Sequence, residues 1–241
     1  FTYTVTDNNG ASSTETVTVT ITGQNDAPVA LAVSGNAEED GAAITVSADF
    51  TDIDVNDTHT FTIDTTGTIG SVTNNGDGTF EYDPTGFDSL AVGETATDTF
   101  AYTVDDGNGG TSTATITITV TGTNDAPDAQ PVAASADEDG AVVTISSDFT
   151  DVDILDTHTF SVDTTGTLGN VINNGDGTFD YDANGQFESL AAGETATDTF
   201  TYTVDDGNGG TSTATVSVTI TGQNDGPVAV AVEASASEDG P

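Results

Sequence analysis

Apolar and polar residues alternate with a period of two along most of this chain, and the helical period of 3.6 is nowhere sustained. The clearest run sets Ala114, Ile116, Ile118 and Val120 on one side and Thr113, Thr115, Thr117, Thr119 and Thr121 on the other. That pattern predicts a strand with one face in a core and one in water, where β-branched threonine suits the pleated surface. Six segments precede it in phase. Their apolar positions are Val29, Leu31 and Val33; Ile44, Val46 and Phe50; His59, Phe61 and Ile63; Ile69 and Val72; Phe80 and Tyr82; and Phe100, Tyr102 and Val104. The turn Asn74-Asn75-Gly76-Asp77-Gly78 joins the fourth segment to the fifth, and Asp105-Asp106-Gly107-Asn108-Gly109-Gly110 joins the sixth to the seventh. Both are rich in the Gly and Asn that tight hairpins require. Seven short antiparallel strands in about 100 residues predict a Greek-key sandwich of the immunoglobulin type.

The whole plan then recurs. Asn25-Asp26-Ala27-Pro28 returns as Asn124-Asp125-Ala126-Pro127 and as Asn224-Asp225-Gly226-Pro227, 99 and then 100 residues further on. The expected fold class is therefore all-β: tandem Greek-key, immunoglobulin-like sandwich repeats of seven strands in a linear rod. Complete repeats are expected at 24–122 and 123–222. Residues 1–23 read as the last strands of a truncated repeat, since Phe1-Thr2-Tyr3-Thr4-Val5 matches Phe100-Ala101-Tyr102-Thr103-Val104. Residues 223–241 read as the start of another, since Ser237-Glu238-Asp239-Gly240 matches Asp137-Glu138-Asp139-Gly140. The second repeat carries one extra residue near Asn184-Gly185-Gln186, and its first segment is interrupted by Asp128, Gln130 and Pro131.

Composition sharpens the question. There are 41 acidic residues, no lysine or arginine and no cysteine, for a formal charge of −41. Hydrophobic residues make up 34% of the chain, so each core is lean and no disulfide can compensate. High charge with low hydrophobicity also suits disorder, but the strict alternation argues against it. Nothing in the chain could neutralise phosphate, so nucleic acid is excluded as a partner, and no apolar run is long enough for membrane insertion.

A charge this large needs external cations, and the acids fall where loops converge. The loop between the second and third strands carries Asp52, Asp54 and Asp57, repeated as Asp151, Asp153 and Asp156. The turn between the last two strands carries Asp105 and Asp106, repeated as Asp205 and Asp206. The turn after the first strand carries Glu39 and Asp40, repeated as Glu138 and Asp139, and Glu94 and Glu194 precede the sixth strand. The linkers add Asn25 and Asp26, Asn124 and Asp125, and Asn224 and Asp225. End-to-end stacking would bring Glu39, Asp40 and Glu94 toward Asn124, Asp125, Asp151, Asp153, Asp156 and either Asp205 or Asp206. An all-oxygen, multi-carboxylate cluster is a calcium ligand set; magnesium takes fewer protein ligands, and zinc and copper would want sulfur or imidazole. Any single Asp-Gly pair reads equally as a solvated turn, and Asp77 in its hairpin is read that way outright.

On these residues the chain resembles the VCBS-type and cadherin-like tandem repeats of large secreted bacterial adhesins, many exported by type I secretion. The resemblance rests on Thr99-Phe100-Ala101-Tyr102-Thr103-Val104-Asp105-Asp106-Gly107 through Gly122, the Asn-Asp-Ala-Pro linker and the Asn-Asp-Gly-Asp-Gly-Thr-Phe turn. Asn124-Asp125, Asp151-x-Asp153 and Glu39 also resemble the interdomain calcium ligands of cadherins. The resemblance implies an extracellular or bacterial cell-surface extender segment, rigidified by Ca2+, whose partners are neighbouring repeats of the same chain. Other copies in a filament or biofilm matrix are a further option, as is a lectin-like binding module. No acidic triplet precedes the sixth strand, where Glu94 stands alone.

Catalysis is not expected. His59 and His158 occupy one scaffold position and read as histidines at the core edge, and no nucleophile set or carboxylate pair unique to one module is apparent.

Overall fold

The computed structural model describes residues 1–236 and 238. Strands β1 (Thr2–Thr6) and β2 (Ser12–Thr16) form an antiparallel hairpin. The first complete repeat contains β3 (Val29–Leu31), β4 (Val33–Glu38), β5 (Ile44–Ser47), β6 (Asp49–Thr51), β7 (Thr60–Asp64), β8 (Ser71–Asn74) and β9 (Thr79–Asp83). It ends in two long strands, β10 (Thr95–Asp105) and β11 (Thr111–Thr121). The second repeat runs in the same order: β12 (Asp128–Gln130), β13 (Val132–Asp137), β14 (Val143–Ser146), β15 (Asp148–Thr150), β16 (Thr159–Asp163), β17 (Asn170–Asn173), β18 (Thr178–Asp182), β19 (Thr195–Asp205) and β20 (Thr211–Thr221).

In each repeat a four-stranded sheet faces a three-stranded one. The orders are β4-β11-β10-β7 with β5-β9-β8, and β13-β20-β19-β16 with β14-β18-β17. Two-stranded ladders, β3-β6 and β12-β15, complete the sandwiches. The first predicted strand is thus two strands in different ladders, and β13 lies parallel to β20 rather than antiparallel. That crossing inverts the side-chain parity. Val29 and Leu31 point outward and Ala30 inward, whereas beyond the gap at Ala32 the inward positions are Val33, Gly35 and Ala37. The same shift explains the second repeat: Asp128 and Gln130 face solvent, Ala129 is buried, and Pro131 sits in the gap, where no ladder N–H is required.

The core is aromatic at its centre. Phe80, Tyr82, Phe100 and Tyr102 interlock, with the Phe80 and Phe100 rings 5.9 Å apart and near-perpendicular at 80°. Phe179, Tyr181, Phe200 and Tyr202 repeat the arrangement. Tyr102 also ties the short β3–β6 ladder to the sandwich, its hydroxyl donating to Leu31 O at 2.7 Å. Ile69, expected in the core, is exposed, as is its counterpart Leu168. Their backbone N–H groups bind Asp98 and Asp198 instead.

Asp98 is the one carboxylate inside the apolar stripe of β10, in phase with Phe100 and Tyr102, and it is buried. It accepts from Gly70 N and from the Tyr82 hydroxyl, each at 2.8 Å, and from Thr99 N at 2.9 Å. Asp198 does the same with Gly169 and Tyr181. These bonds pin the loop before β8 to the opposite sheet.

By contact density the chain forms two compact units. One comprises Phe1–Ala37, Ala42–Asp83 and Thr97–Thr119; the other comprises Glu38–Gly41, Pro84–Ala96 and the chain from Val120 onward. The turn Glu38–Gly41 and the segment Pro84–Ala96 therefore cluster with the second repeat. Gly122 allows this locally: its N–H donates to Glu94 O at 2.9 Å, and any side chain there would strike the Leu90 and Ala91 carbonyls. The β1–β2 hairpin exposes Phe1, Tyr3 and Val5, whose counterparts Phe100, Tyr102 and Val104 are buried. Beyond Gly222 no strand forms among the described residues, and Ser237, Asp239 and Gly240 of the terminal acidic match lie outside them.

Replacing Asp98 by Ala strands the Tyr82 hydroxyl and the Gly70 N–H in the core. Each buried group left unpaired costs about 1–3 kcal/mol, so the first repeat should lose about 3 kcal/mol in urea unfolding. A loss below about 0.5 kcal/mol would mean that the carboxylate is dispensable.

Candidate metal centres

Four groups of three acidic side chains have carboxylate oxygens lying within 4.8 Å of one another: Glu39/Asp125/Asp153, Asp52/Asp57/Asp106, Asp151/Asp156/Asp206 and Glu138/Asp139/Asp225. Each lies wholly within one compact unit.

The loop Asp151–Asp156 is shaped by its own bonds. Asp153 N donates to Asp151 Oδ1 at 3.0 Å, and Asp156 N to Asp153 O at 2.9 Å, while Asp151 and Asp156 join one group and Asp153 another. Asp125 N in the linker donates to Asp153 Oδ2 at 2.8 Å, locking linker to loop. Glu39 arrives from the turn after β4, held by Thr123 N at 2.7 Å and Leu90 N at 3.2 Å. Asp153 is fully buried and its Oδ1 has no hydrogen-bond partner. Its counterpart Asp54 accepts the same linker bond, from Asp26 N at 2.7 Å, but is only half-buried.

The Asp151/Asp156/Asp206 group and its copy Asp52/Asp57/Asp106 are built differently. Asp206 sits under its turn, accepting from Asn208 N, Gly209 N and Gly210 N at 2.7 to 3.0 Å. Gly210 is required, because a Cβ there would collide with Asp206 Oδ2. Asp106 is held in the same way by Asn108 N at 2.8 Å and Gly110 N at 2.9 Å. In the fourth group Glu138 is buried, takes one bond from Gln223 N, and keeps Oε2 unpartnered.

The electrostatics separate the groups. Burial raises the Glu39 carboxyl, and Asp153 and Asp40 raise it further against its two N–H donors. Burial also raises Asp125, joined by Asp40, Asp153 and Asp88, and Asp153, joined by Asp156, Asp151 and Asp206. By contrast, the His59 hydrogen bond lowers Asp52, and the Asn25 bond lowers Asp106. Asp206 is pushed up by burial, but the Asn124 bond and three N–H donors bring it below its ordinary value.

Other expected ligands serve elsewhere. Glu94 and Glu194 accept from Ala91 N and Ala191 N of their own turns and join none of the four groups. Asp105 and Asp205 cap their turns through Gly107 N and Gly207 N, so of each pair the second aspartate joins a group. Asp40 accepts from the Thr123 hydroxyl at 3.0 Å beside Asp125. Asn25 and Asn124 donate to Asp106 and Asp206, and Asn224 reaches only Asp225 O at 3.4 Å. Asp77 stays in its hairpin, bonded to Thr79. Two participants escaped the sequence reading, Asp88 and the turn residue Asn108 with its copy Asn208. The latter was legible in principle, as the one amide side chain in a turn that carries two acids.

Oxygen-only acidic groups at the loops of repeated sandwiches define a tandem cadherin-like array. The chain belongs to the bacterial cadherin-like domain family, which matches residues 25–122 and 124–222. Among solved structures it is similar to human protocadherin-24 EC1-2, at 18% identity and a TM-score of 0.54, covering 84% of this chain and 100% of that one. It is also similar to human CDH23 EC21-23, at 19% identity and 0.53, covering 82% and 70%. For protocadherin gamma B7 extracellular cadherin domains 1-4 the values are 18% and 0.51, with 83% of this chain matching 52% of that one. At these identities the likeness concerns the fold. No curated protein matches the chain. The described residues contain no helix long and apolar enough to cross a membrane.

The raised carboxyls give a pH signature. Glu39, Asp125 and Asp153 bind protons more tightly folded than unfolded. Their contribution is therefore complete below the ordinary carboxylate range, about pH 4, and is lost as pH rises through the raised values. Lowered Asp52, Asp106 and Asp206 act oppositely, their contribution fading only when pH falls below that range. In chelator, the calorimetric thermal midpoint should climb as pH is lowered from 7 toward about 4.5 and fall again on further acidification. A midpoint that only declines from pH 7 downward would contradict this assignment.

Proposed function

We propose that the chain is a run of extender repeats from a bacterial cell-surface or biofilm adhesin, non-catalytic itself, and stiffened by calcium where successive repeats meet. The repeats proposed are 24–122 and 123–222, flanked by the last strands of one repeat at 1–23 and the start of another at 223–241. The observation that carries this reading is the Glu39/Asp125/Asp153 group, in which a turn of the first repeat joins the linker and a loop of the second. Its Asp153 Oδ1 is buried without a partner, an expensive state for a carboxylate that a cation would relieve. Glu138 Oε2 and Asn124 Oδ1 are likewise buried and unpartnered. The donors are hard oxygens throughout, with no lysine or arginine anywhere to occupy the space, which suits calcium.

Glu39, Asp125 and Asp153 would hold one ion, and Asp151, Asp156 and Asp206 another. Asp52, Asp57 and Asp106 form the corresponding pocket of the first repeat, and Glu138, Asp139 and Asp225 that of the last linker. Calcium supplies positive charge at each, converting mutual repulsion into shared ligation. Extracellular modules of this kind bind calcium at roughly 0.1–1 mM, so the sites would be empty inside a cell and filled after export. An apo chain with a lean core and a charge of −41 suits passage through a secretion channel unfolded.

The thermal midpoint should rise with millimolar calcium and much less with magnesium. Asp151→Asn together with Asp153→Asn should remove most of the rise attributable to the pockets around the second linker, whereas Asp77→Asn should leave it intact. Small-angle scattering should show a maximum dimension that contracts or blurs in chelator. An unmoved midpoint with calcium, or an Asp77 variant as damaging as the double variant, would overturn the reading.

A further inference from the structure

We propose that His158, Asn208 and Asn124, and their counterparts His59, Asn108 and Asn25, are positioning residues. Together they form a clasp of side-chain nitrogen donors that sets the three carboxylates of a pocket for a divalent cation. The proposal rests on the calcium reading above and assigns side chains that contribute no carboxylate.

Each carboxylate of the Asp151/Asp156/Asp206 group receives one side-chain N–H, and each from a different part of the fold. His158 Nε2, just before β16, lies 2.8 Å from Asp151 Oδ2. Asn208 Nδ2, in the turn between β19 and β20, lies 2.9 Å from Asp156 Oδ2. Asn124 Nδ2, in the linker, lies 2.8 Å from Asp206 Oδ2. The first repeat reproduces the set at 2.8, 2.9 and 2.8 Å, through His59 to Asp52, Asn108 to Asp57 and Asn25 to Asp106. An ionised carboxylate only accepts, so every one of these contacts places the hydrogen on nitrogen.

The chemistry of the donors matters as much as their number. A lysine or arginine would hold the carboxylates by putting its own charge in the pocket, where it would compete with the ion. An amide or imidazole N–H fixes one oxygen of each carboxylate and leaves its negative charge uncancelled. The histidine is itself fixed: its ring packs 4.8 Å from Phe149, and His59 packs 4.7 Å from Phe50. The aspartate is thereby referred to the core rather than to a mobile loop, which is the part played by outer hydrogen bonds around metal ligands generally. The Glu39/Asp125/Asp153 group shows the contrast. Its internal bonds come from backbone N–H groups, and one oxygen is left with none.

The test is calorimetric titration of the full chain with calcium chloride, comparing wild type with His59→Ala/His158→Ala, His59→Gln/His158→Gln and Asn108→Ala/Asn208→Ala. The asparagines sit in exposed turns, so their variant keeps the question answerable if the histidine-to-alanine chain folds poorly. Outer-ligand losses typically weaken metal affinity about 10- to 100-fold, and we expect about tenfold for both alanine variants. Glutamine, whose amide N–H can replace Nε2, should restore most of it. A merely structural role would lower the midpoint in chelator without altering affinity. If wild type binds calcium and the alanine variants bind within about twofold of it, the clasp is wrong and the calcium reading stands. If wild type takes up no calcium, both fall.

Discussion

Negative charges held close together, with no positive side chain to separate them, are the constraint on which the rest of this structure turns. Two like charges about 4 Å apart repel by roughly 4 kcal/mol at an effective dielectric constant near 20. The fold places carboxylate oxygens within 4.8 Å of one another in four separate groups. Surface charge could relax by side-chain rotation, but Glu39, Asp106, Glu138, Asp153 and Asp206 are buried and cannot swing into water. The lean core must therefore oppose a load concentrated at the loops. The pattern of local bonds follows from that load. Asp206 and Asp106 are wrapped by the N–H groups of their turns, and Asp98 and Asp198, isolated in the interior, take bonds from three elements each.

The two kinds of acidic group meet the constraint in different ways. Where hydrogen bonds outweigh burial, as at Asp52, Asp106 and Asp206, the carboxyls are held below their ordinary values. Where burial and neighbouring charge outweigh them, as at Glu39, Asp125 and Asp153, the carboxyls are pushed up. The first kind is set by its hydrogen bonds. The second carries burial and mutual repulsion that its hydrogen bonds do not offset.

Much of the fold was legible because period two is a local signal. The run from Ala114 to Val120, the Asn-Gly hairpins and the repeat itself need no long-range information. The first strand was misread because the parity of Val29 and Leu31 is set by which sheet the strand joins, and it changes sheet at Ala32. Asp98 could have been found by parity alone, as an acid in phase with Phe100 and Tyr102, but its partners Tyr82 and Gly70 lie 16 and 28 residues upstream. At the acidic loops, sequence alone does not resolve which member of each pair faces inward. Asp106 and Asp206 turn under the hairpin while Asp105 and Asp205 cap it, and that choice depends on the glycine backbone that follows. Glu94 joins none of the four groups, and its Oε2 accepts from the N–H of Ala91, three residues earlier.

Repetition gives these local choices their force. A single clasp of His, Asn and Asn around three aspartates could be incidental. The same three donors recur at the same distances one repeat later, although the loop between them has changed from Asp52-Ile53-Asp54-Val55-Asn56-Asp57 to Asp151-Val152-Asp153-Ile154-Leu155-Asp156. The intervening side chains vary, and the carboxylates with their donors do not. What the two copies do not share is burial. Asp54 is half-buried and Asp153 is fully buried, the latter grouped with Glu39 and Asp125. The three-carboxylate frame occurs in both repeats, and a buried oxygen without a partner is found at Asp153, beside Glu39 and Asp125.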